Sequence, residues 1–519
     1  MTEEFDLPTT IPGAAKAAAE KWPDATALII GDRSWTFAEV WADARTAASA
    51  LIASGIGTGD RIAIWAPNSR EWILAALGVQ ILGAAIVPMN TRFQGAEAGD
   101  TLPGAHVPML FTAQDFLGQD YARLLAEEEL PNLEETIYLD GGWDEFVARG
   151  AGAEDPKVDA AFGTLTGDGI SDIIFTSGTT GKPKGVLTDH GQAVRLFAEW
   201  AKITDLRAGD RYLIANPFFH TFGYKSGWAV CFTQGATIVP MPVFDVEETV
   251  RQIERNRISF LPGPPTIYQS LLREIDAGNA QNFGSLRVAV TGAAPVAPAL
   301  IERMRADLGI QNVVNGYGMT ECGCIAVTRR SDEPETVTQS CGRPIPGLEV
   351  RCVDDDGNDL PAGTPGELLV RGFAVMKGYL DDPAATAQAI DADGWLHTGD
   401  IGTIDEQGYL RITDRKKDMF ISNGFNVYPA EVENLFLKHP AIGMAVGVGV
   451  PDDRAGEAGC AFVTIRPGAS ATEDELRQWA RANMANYKVP RTVKIVPDLP
   501  RNAAGKILKT ALREDQATS

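Results

Sequence analysis

From Arg61 onward, short apolar runs alternate with longer stretches of helical periodicity. "RIAIWAPN" (Arg61–Asn68) reads as a strand, the run from about Ser69 to Leu82 as a helix stopping at Gly83, and Ala85–Val87 as the next strand. Strand, helix, strand in that order predicts a βαβ unit with its strands in parallel. The pattern returns in "VPMLF" with "TIYLD", in "RYLIANP" with "ATIVPMP", and in Leu286–Gly292, which precedes a helix ending at Gly309. The first ~330 residues therefore predict two doubly wound α/β sheets. After about Arg330, "PIPGLEVRCVDDDGNDLPAGTPGELLVRG" breaks into short strands split by Asp-Gly and Pro-Gly turns, which predicts a small β-barrel. Past "DRKKD", strands such as "CAFVTIRP" and helices such as "TEDELRQWARANM" predict a smaller α+β domain. We place the boundary at Lys417, giving domains 1–416 and 417–519.

One apolar run, "WILAALGVQILGAAIVPM" (Trp72–Met89), approaches the length of a membrane span. Gly78, Gln80, Gly83 and Pro88 interrupt it, so it reads as a core helix and strand, and no membrane insertion is expected. The chain has 519 residues, 45% hydrophobic and 22% charged, which is ordinary for a globular protein of more than one domain. Its net charge of −23 argues against a nucleic-acid partner, which asks for a basic face. A local basic pocket for a small anion remains compatible with that charge. Six scattered cysteines and five dispersed histidines make neither a disulfide framework nor a protein-only metal cage. With an acidic N-terminus, "MTEEFDLPTT", unlike a signal peptide, the expected setting is cytoplasmic. No oligomeric state follows from the pattern.

The first candidate chemistry is "TSGTTGKPKG" (Thr176–Gly185), which follows the apolar run "SDIIFT" and precedes a stretch running through Val186 and Leu187 into a helical pattern. Glycines let backbone N–H groups converge on an anion; Ser177, Thr179 and Thr180 add hydroxyls, and Lys182 and Lys184 add charge. The spacing is not that of a Walker A loop, because Gly181-Lys182 is followed by Pro183.

Six further motifs follow in order: "GAAP" (Gly292–Pro295), "NGYGMTE" (Asn315–Glu321), "GWLHTGD" (Gly394–Asp400), "DRKKD" (Asp414–Asp418), "SNGFNVYPAEVE" (Ser422–Glu433) and "PRNAAGK" (Pro500–Lys506). Together they resemble the adenylate-forming superfamily of acyl-CoA synthetases, firefly luciferase and peptide-synthetase adenylation domains, over nearly the whole chain. The resemblance implies an α/β fold with a large N-terminal domain and a mobile C-terminal one. It also implies an enzyme that couples a carboxylic acid to AMP and then passes the acyl group to coenzyme A.

The same resemblance assigns roles. Thr176, Ser177, Gly178, Thr179, Thr180, Gly181 and Lys184 would grip the ATP phosphates, Thr320 the α-phosphate, and Glu321 a Mg²⁺ ion. Gly292, Ala293, Ala294, Tyr317 and Gly318 would form the adenine site, with Asp400 and Arg415 at the ribose. Lys506 would bridge the attacking carboxylate and the α-phosphate, Lys417 would be the hinge, and Gly424 would enter the site to form the thiol channel. His220, Gly223, Lys225, Gly292, Gly318 and Met319 would line the acyl pocket, Lys225 as a partner for a polar group on the acid, and Cys322 and Cys324 could lie beside it. "NPFFHTFGYKSG" and "FLPGPPTIYQSLL" look most like actinobacterial CoA ligases for the bicyclic keto propanoate left from steroid rings C and D. A ligase for medium-chain or aromatic acids, and an adenylation enzyme loading a carrier protein, are the alternatives.

Overall fold

The computed structural model describes residues 7–177, 183–279, 282–292, 298–354, 356–415, 420–427, 429–452, 454–466, 468–500, 509 and 512–513. The helix Arg70–Ile81 shows why the sequence folds as it does. Ser69 caps it by accepting from the Trp72 N–H at 3.1 Å, and nearly every residue after Glu71 is buried. A helix apolar all round belongs at the centre of a large core, which explains the membrane-like run. Among the described residues, no helix is long and apolar enough to cross a membrane.

That helix joins Arg61–Trp65 to Ala85–Pro88, which pair in parallel within a seven-stranded sheet. The sheet continues through Ile170–Ser177, Pro183–Asp189 and Gly378–Tyr379 on one side and Met109–Thr112 and Glu135–Tyr138 on the other. The second predicted sheet has nine strands; its parallel centre includes Arg211–Ile214, Phe260–Pro262, Val288–Gly292 and Asn312–Met319. The sequence sends the chain after the "TSGTTGKPKG" loop directly into a helix. Instead Pro183–Asp189 first returns antiparallel along Ile170–Ser177, and the helix His190–Thr204 begins after it. The β-branched and aliphatic Val186, Leu187 and Thr188 favour that strand, and Asp189 caps the helix by accepting from the Gln192 N–H at 2.6 Å.

The predicted barrel is a four-stranded antiparallel sheet, Leu348–Val353, Gly366–Gly372, Leu396–Ile404 and Leu410–Arg415. Among the described residues no pairing closes its first strand on its last; four strands are few for a closed barrel. The C-terminal unit is α+β: five strands, with Gly456–Ile465 central, packed by helices Pro429–Leu437 and Glu473–Asn483 around Phe420, Phe436, Leu476 and Val493. The boundary residue Lys417 lies outside the described residues.

The carboxyl edges of the two large sheets are tied by one buried side chain. Asn68, just past Arg61–Trp65, donates its amide N–H groups to the carbonyls of Ile214 (3.3 Å), Asn216 (2.9 Å) and Met241 (3.0 Å), and its Oδ1 accepts from the Phe218 N–H at 2.7 Å. Those four partners sit at the ends of neighbouring strands of the nine-stranded sheet, where ligands bind in open α/β folds.

Candidate active site

A cavity of about 1520 Å³ lies over those strand ends. Thr176, Lys184, Gly292, Tyr317, Gly318 and Met319 line it, as do Thr320, Glu321, Asp400, His220 and Gly424. Residues spread over some 250 positions of sequence thus share one space. Gly178, Thr179, Thr180, Gly181, Ala293, Ala294, Lys417 and Lys506 lie outside the described residues, and of Ser177 and Arg415 only the backbone is described.

Asp400 is buried, and its Oδ2 accepts from the Tyr317 hydroxyl at 2.6 Å. The backbone of Arg415 pairs directly opposite Asp400 across the four-stranded sheet. A carboxylate so placed has lone pairs for vicinal hydroxyls, while the Tyr317 ring offers a face for a flat base.

Glu321 faces the cavity from the turn after Asn312–Met319. Burial pushes its carboxyl pKa above the ordinary range, against hydrogen bonds that favour the anion. One of those comes from the Tyr379 hydroxyl, 2.9 Å from Oε1. The Lys184 ammonium stands 4.9 Å from the centre of the same ring. Tyr379 lies in the short strand Gly378–Tyr379, opposite Val186 on the strand that carries Lys184. Tyr379 therefore joins the lysine of the glycine-rich loop to the acid of "NGYGMTE". Sequence reasoning missed it because it stands 58 residues from Glu321 with no spacing signal. A desolvated carboxylate facing an open cavity has the chemistry to hold a hard divalent cation. Among the described residues no cluster of three or more His, Cys, Asp or Glu forms a protein-only cage.

His220 opens a short helix by accepting the Phe222 N–H on Nδ1 at 3.2 Å. Its side chain is exposed toward the cavity, and the protein around it lowers its pKa from the ordinary imidazole value by desolvation. Cys324 lines the cavity, whereas Cys322 is buried. Burial raises the Cys324 thiol to about 12 and Cys322 further, so neither is a thiolate nucleophile.

Two residues assigned to the acyl pocket face elsewhere. Gly223 is packed on the preceding turn; a Cβ there would lie 2.2 Å from the Pro217 carbonyl oxygen. Lys225 does not reach the cavity. Its ammonium is 2.9 Å from Asp172 Oδ1 and donates to the Thr188 hydroxyl at 2.6 Å, with 5% of the side chain exposed. The cause is the wide π-helical turn Tyr224–Ala229. It sends Lys225 inward against the seven-stranded sheet and leaves Ser226 on the cavity wall. A polar group on the acid is therefore not the partner of Lys225. Lys225→Met should cost about 3–5 kcal/mol of stability by stranding a buried carboxylate, read as a lowered urea midpoint, with an unchanged KM for the acid.

The wall missed by the sequence reading is Asn216. It lines the cavity with Thr221, and its Nδ2 and the Thr221 Oγ1 are buried without hydrogen-bond partners among the described residues. The same cavity is lined by Phe219, Phe222, Phe244, Trp200 and Ile267.

The AMP-binding enzyme family model matches residues 15–380, and the AMP-binding enzyme C-terminal domain matches residues 431–506. The chain belongs to the AMP-binding enzyme family. A Mycobacterium tuberculosis protein named 3-[(3aS,4S,7aS)-7a-methyl-1,5-dioxo-octahydro-1H-inden-4-yl]propanoyl:CoA ligase is 49% identical over 511 residues, covering 97% of this chain and 98% of its own. The Rhodococcus jostii protein of the same name is 45% identical over 528 residues, covering 99% and 100%. Among solved structures, a double mutant of o-succinylbenzoate CoA synthetase from Bacillus subtilis, bound with a product analogue, matches with a TM-score of 0.84 at 30% identity, covering 96% of this chain and 98% of that one. ATP-bound MatB from Rhodopseudomonas palustris matches with 0.69 at 28% identity, covering 98% and 99%. This AMP-binding enzyme is an acid:CoA ligase.

Proposed function

We propose that the acid is the bicyclic 1,5-dioxo-octahydroindenyl propanoate named in the two bacterial relatives, and that the enzyme joins it to coenzyme A through an acyl-adenylate. The carboxylate oxygen attacks the α-phosphorus of ATP and pyrophosphate leaves. The thiolate sulfur then attacks the acyl carbonyl carbon and AMP leaves. Identity of 49% to one such ligase over nearly the whole chain is the observation that carries the reading. The cavity chemistry supports it. Aromatic and aliphatic walls suit a fused hydrocarbon frame, and two partnerless donors, Asn216 Nδ2 and Thr221 Oγ1, match the need of two ring ketones for hydrogen bonds.

In this reading the Thr176–Lys184 loop, including Ser177, Gly178, Thr179, Thr180 and Gly181, holds the triphosphate, and Thr320 meets the α-phosphate. Gly292, Ala293, Ala294, Gly318 and Tyr317 take the adenine, and Asp400 with Arg415 takes the ribose. Glu321 would hold Mg²⁺, which neutralises phosphate charge when bound. Lys417 is the hinge. Six unbridged cysteines accord with a cytoplasmic setting.

The test is a panel of acids with ATP, Mg²⁺ and CoA, followed by AMP release. The bicyclic dioxo acid should exceed octanoate and benzoate in kcat/KM by about 10²-fold or more; preference for octanoate or benzoate would overturn the assignment. Asn216→Leu should lose tenfold or more on the dioxo acid and little on octanoate, measured in the same assay.

A further inference from the structure

The C-terminal unit is seated on the N-terminal one through a small buried ionic cluster at the edge of the cavity, whose wall Glu431, Tyr487 and Lys488 share. Lys488 is 2% exposed and stands between two carboxylates, Glu97 at 7% and Glu431 at 13%. Its Nζ donates to Glu97 Oε1 at 2.5 Å and also to Glu431 Oε1. Glu97 belongs to the N-terminal helix Gly95–Ala105, while Glu431 and Lys488 belong to the C-terminal unit. The second oxygen of Glu97 accepts from the Gln94 N–H at 3.0 Å and from the Ala485 N–H at 3.1 Å. One carboxylate therefore caps its own helix and also holds two groups of the other unit.

The cluster continues toward the cavity. The Asn90 amide donates to the Tyr487 hydroxyl at 3.0 Å, and the Tyr487 ring stacks on Phe425 with centroids 4.6 Å apart. Phe425 follows Gly424, which turns with φ +79° and faces Pro264 on the cavity wall; a Cβ there would lie 3.9 Å from Pro264 Cγ. Asn423, Gly424 and Phe425 all line the cavity. A chain of direct contacts thus runs from Glu97 through Lys488 and Tyr487 to a turn that lines the cavity.

The chemistry of the cluster suits a contact that forms and breaks. A well-made apolar seal deepens with its area. A buried ion pair gains little net stability, because the same charges are well solvated when separated, yet it fixes one geometry. Such a contact sets register without making the seated arrangement hard to leave.

We infer that Glu97, Lys488 and Glu431 form the catch that registers the C-terminal unit for thiol transfer, as positioning residues that hold the Asn423–Phe425 turn in the cavity during the second half of the reaction. The inference rests on the CoA-ligase reading. Its test separates the two halves. Glu97→Gln and Lys488→Met are assayed for acid-dependent pyrophosphate exchange and, separately, for thioester formation from pre-formed acyl-adenylate and CoA. Exchange should stay near the wild-type rate. Thioester formation should fall by about 10–100-fold, the scale of a small misplacement of reacting groups, with a raised KM for CoA. Tyr487→Phe removes the Asn90 bond without stranding a charge and should shift the same half by a smaller factor. Urea unfolding of each variant reports its folding. An equal fall in both halves, or no fall in either among folded variants, overturns the catch. Failure of the wild-type protein to form a thioester with free CoA overturns the ligase reading instead.

Discussion

Lys506→Ala should lower acid-dependent pyrophosphate formation by about 10³-fold and leave thioester formation from synthetic acyl-adenylate nearly intact. In the first half-reaction a carboxylate approaches a phosphorus already surrounded by anionic oxygens, and negative charge concentrates along the attack line. An ammonium about 4 Å from that charge is worth roughly 4 kcal/mol at the effective dielectric of a partly open site, which is about three decades in rate. In the second half-reaction the attacking thiolate meets a carbonyl carbon, and the leaving group is AMP, so the same lysine has no crowded phosphate to relieve. Lys506 lies outside the described residues and follows Ala503, Ala504 and Gly505. The reading therefore stands on its motif, and the C-terminal family model runs as far as this residue. Isotope exchange between pyrophosphate and ATP, beside a thioester assay started from acyl-adenylate, decides it: a variant that exchanges normally removes the assigned role.

Glu321→Gln should reduce kcat/KM for ATP by about 10²–10³-fold, the scale of losing one charged group aimed at the reacting centre. It should also raise the Mg²⁺ concentration needed for half-maximal rate. The substitution keeps size and leaves an oxygen to accept from Tyr379, so the change isolates charge. Burial lifts the Glu321 pKa above the ordinary carboxylate range, so the free enzyme loses this anion earlier as pH falls. The acid limb of kcat/KM for ATP should accordingly sit above that range in the wild type and vanish in the Gln variant. A pH profile and a Mg²⁺ titration at fixed ATP check both statements; an unchanged Mg²⁺ requirement would contradict the role of Glu321.

The sequence made the architecture legible wherever periodicity was strong. The helix predicted over Ser69–Leu82 is Arg70–Ile81, and the strand predicted at Ala85–Val87 is Ala85–Pro88. It failed at "KGVLTD": Val186, Leu187 and Thr188 favour a strand, but the return along Ile170–Ser177 before the helix is a tertiary pairing that local preference does not reveal. Cavity-facing side chains such as Tyr317, Glu321 and Asp400 were legible because each sits in a motif, and the structure brings them together. Lys225 was misplaced because a π-helical turn changes which face each residue presents, and 3.6-residue periodicity cannot register that. Tyr379, Asn216 and Glu97 were invisible for the opposite reason. Tyr379 and Glu97 act through partners dozens to hundreds of positions away, of which a single chain of letters carries no trace, and Asn216 sits in none of the seven motifs.

The four bonds of Asn68 bear on how the acyl wall behaves under thermal motion. One amide staples the rim of the first sheet to the very segment, Ile214–Phe218, that leads into His220. The proposed acyl wall is thus anchored through Asn68 to a neighbouring layer, the sheet that also carries Thr176, Lys184 and Tyr379. Loosening this one staple between layers should blur the shape of the pocket, and with it the choice of acid, through a residue at the cavity's edge rather than at its aromatic wall.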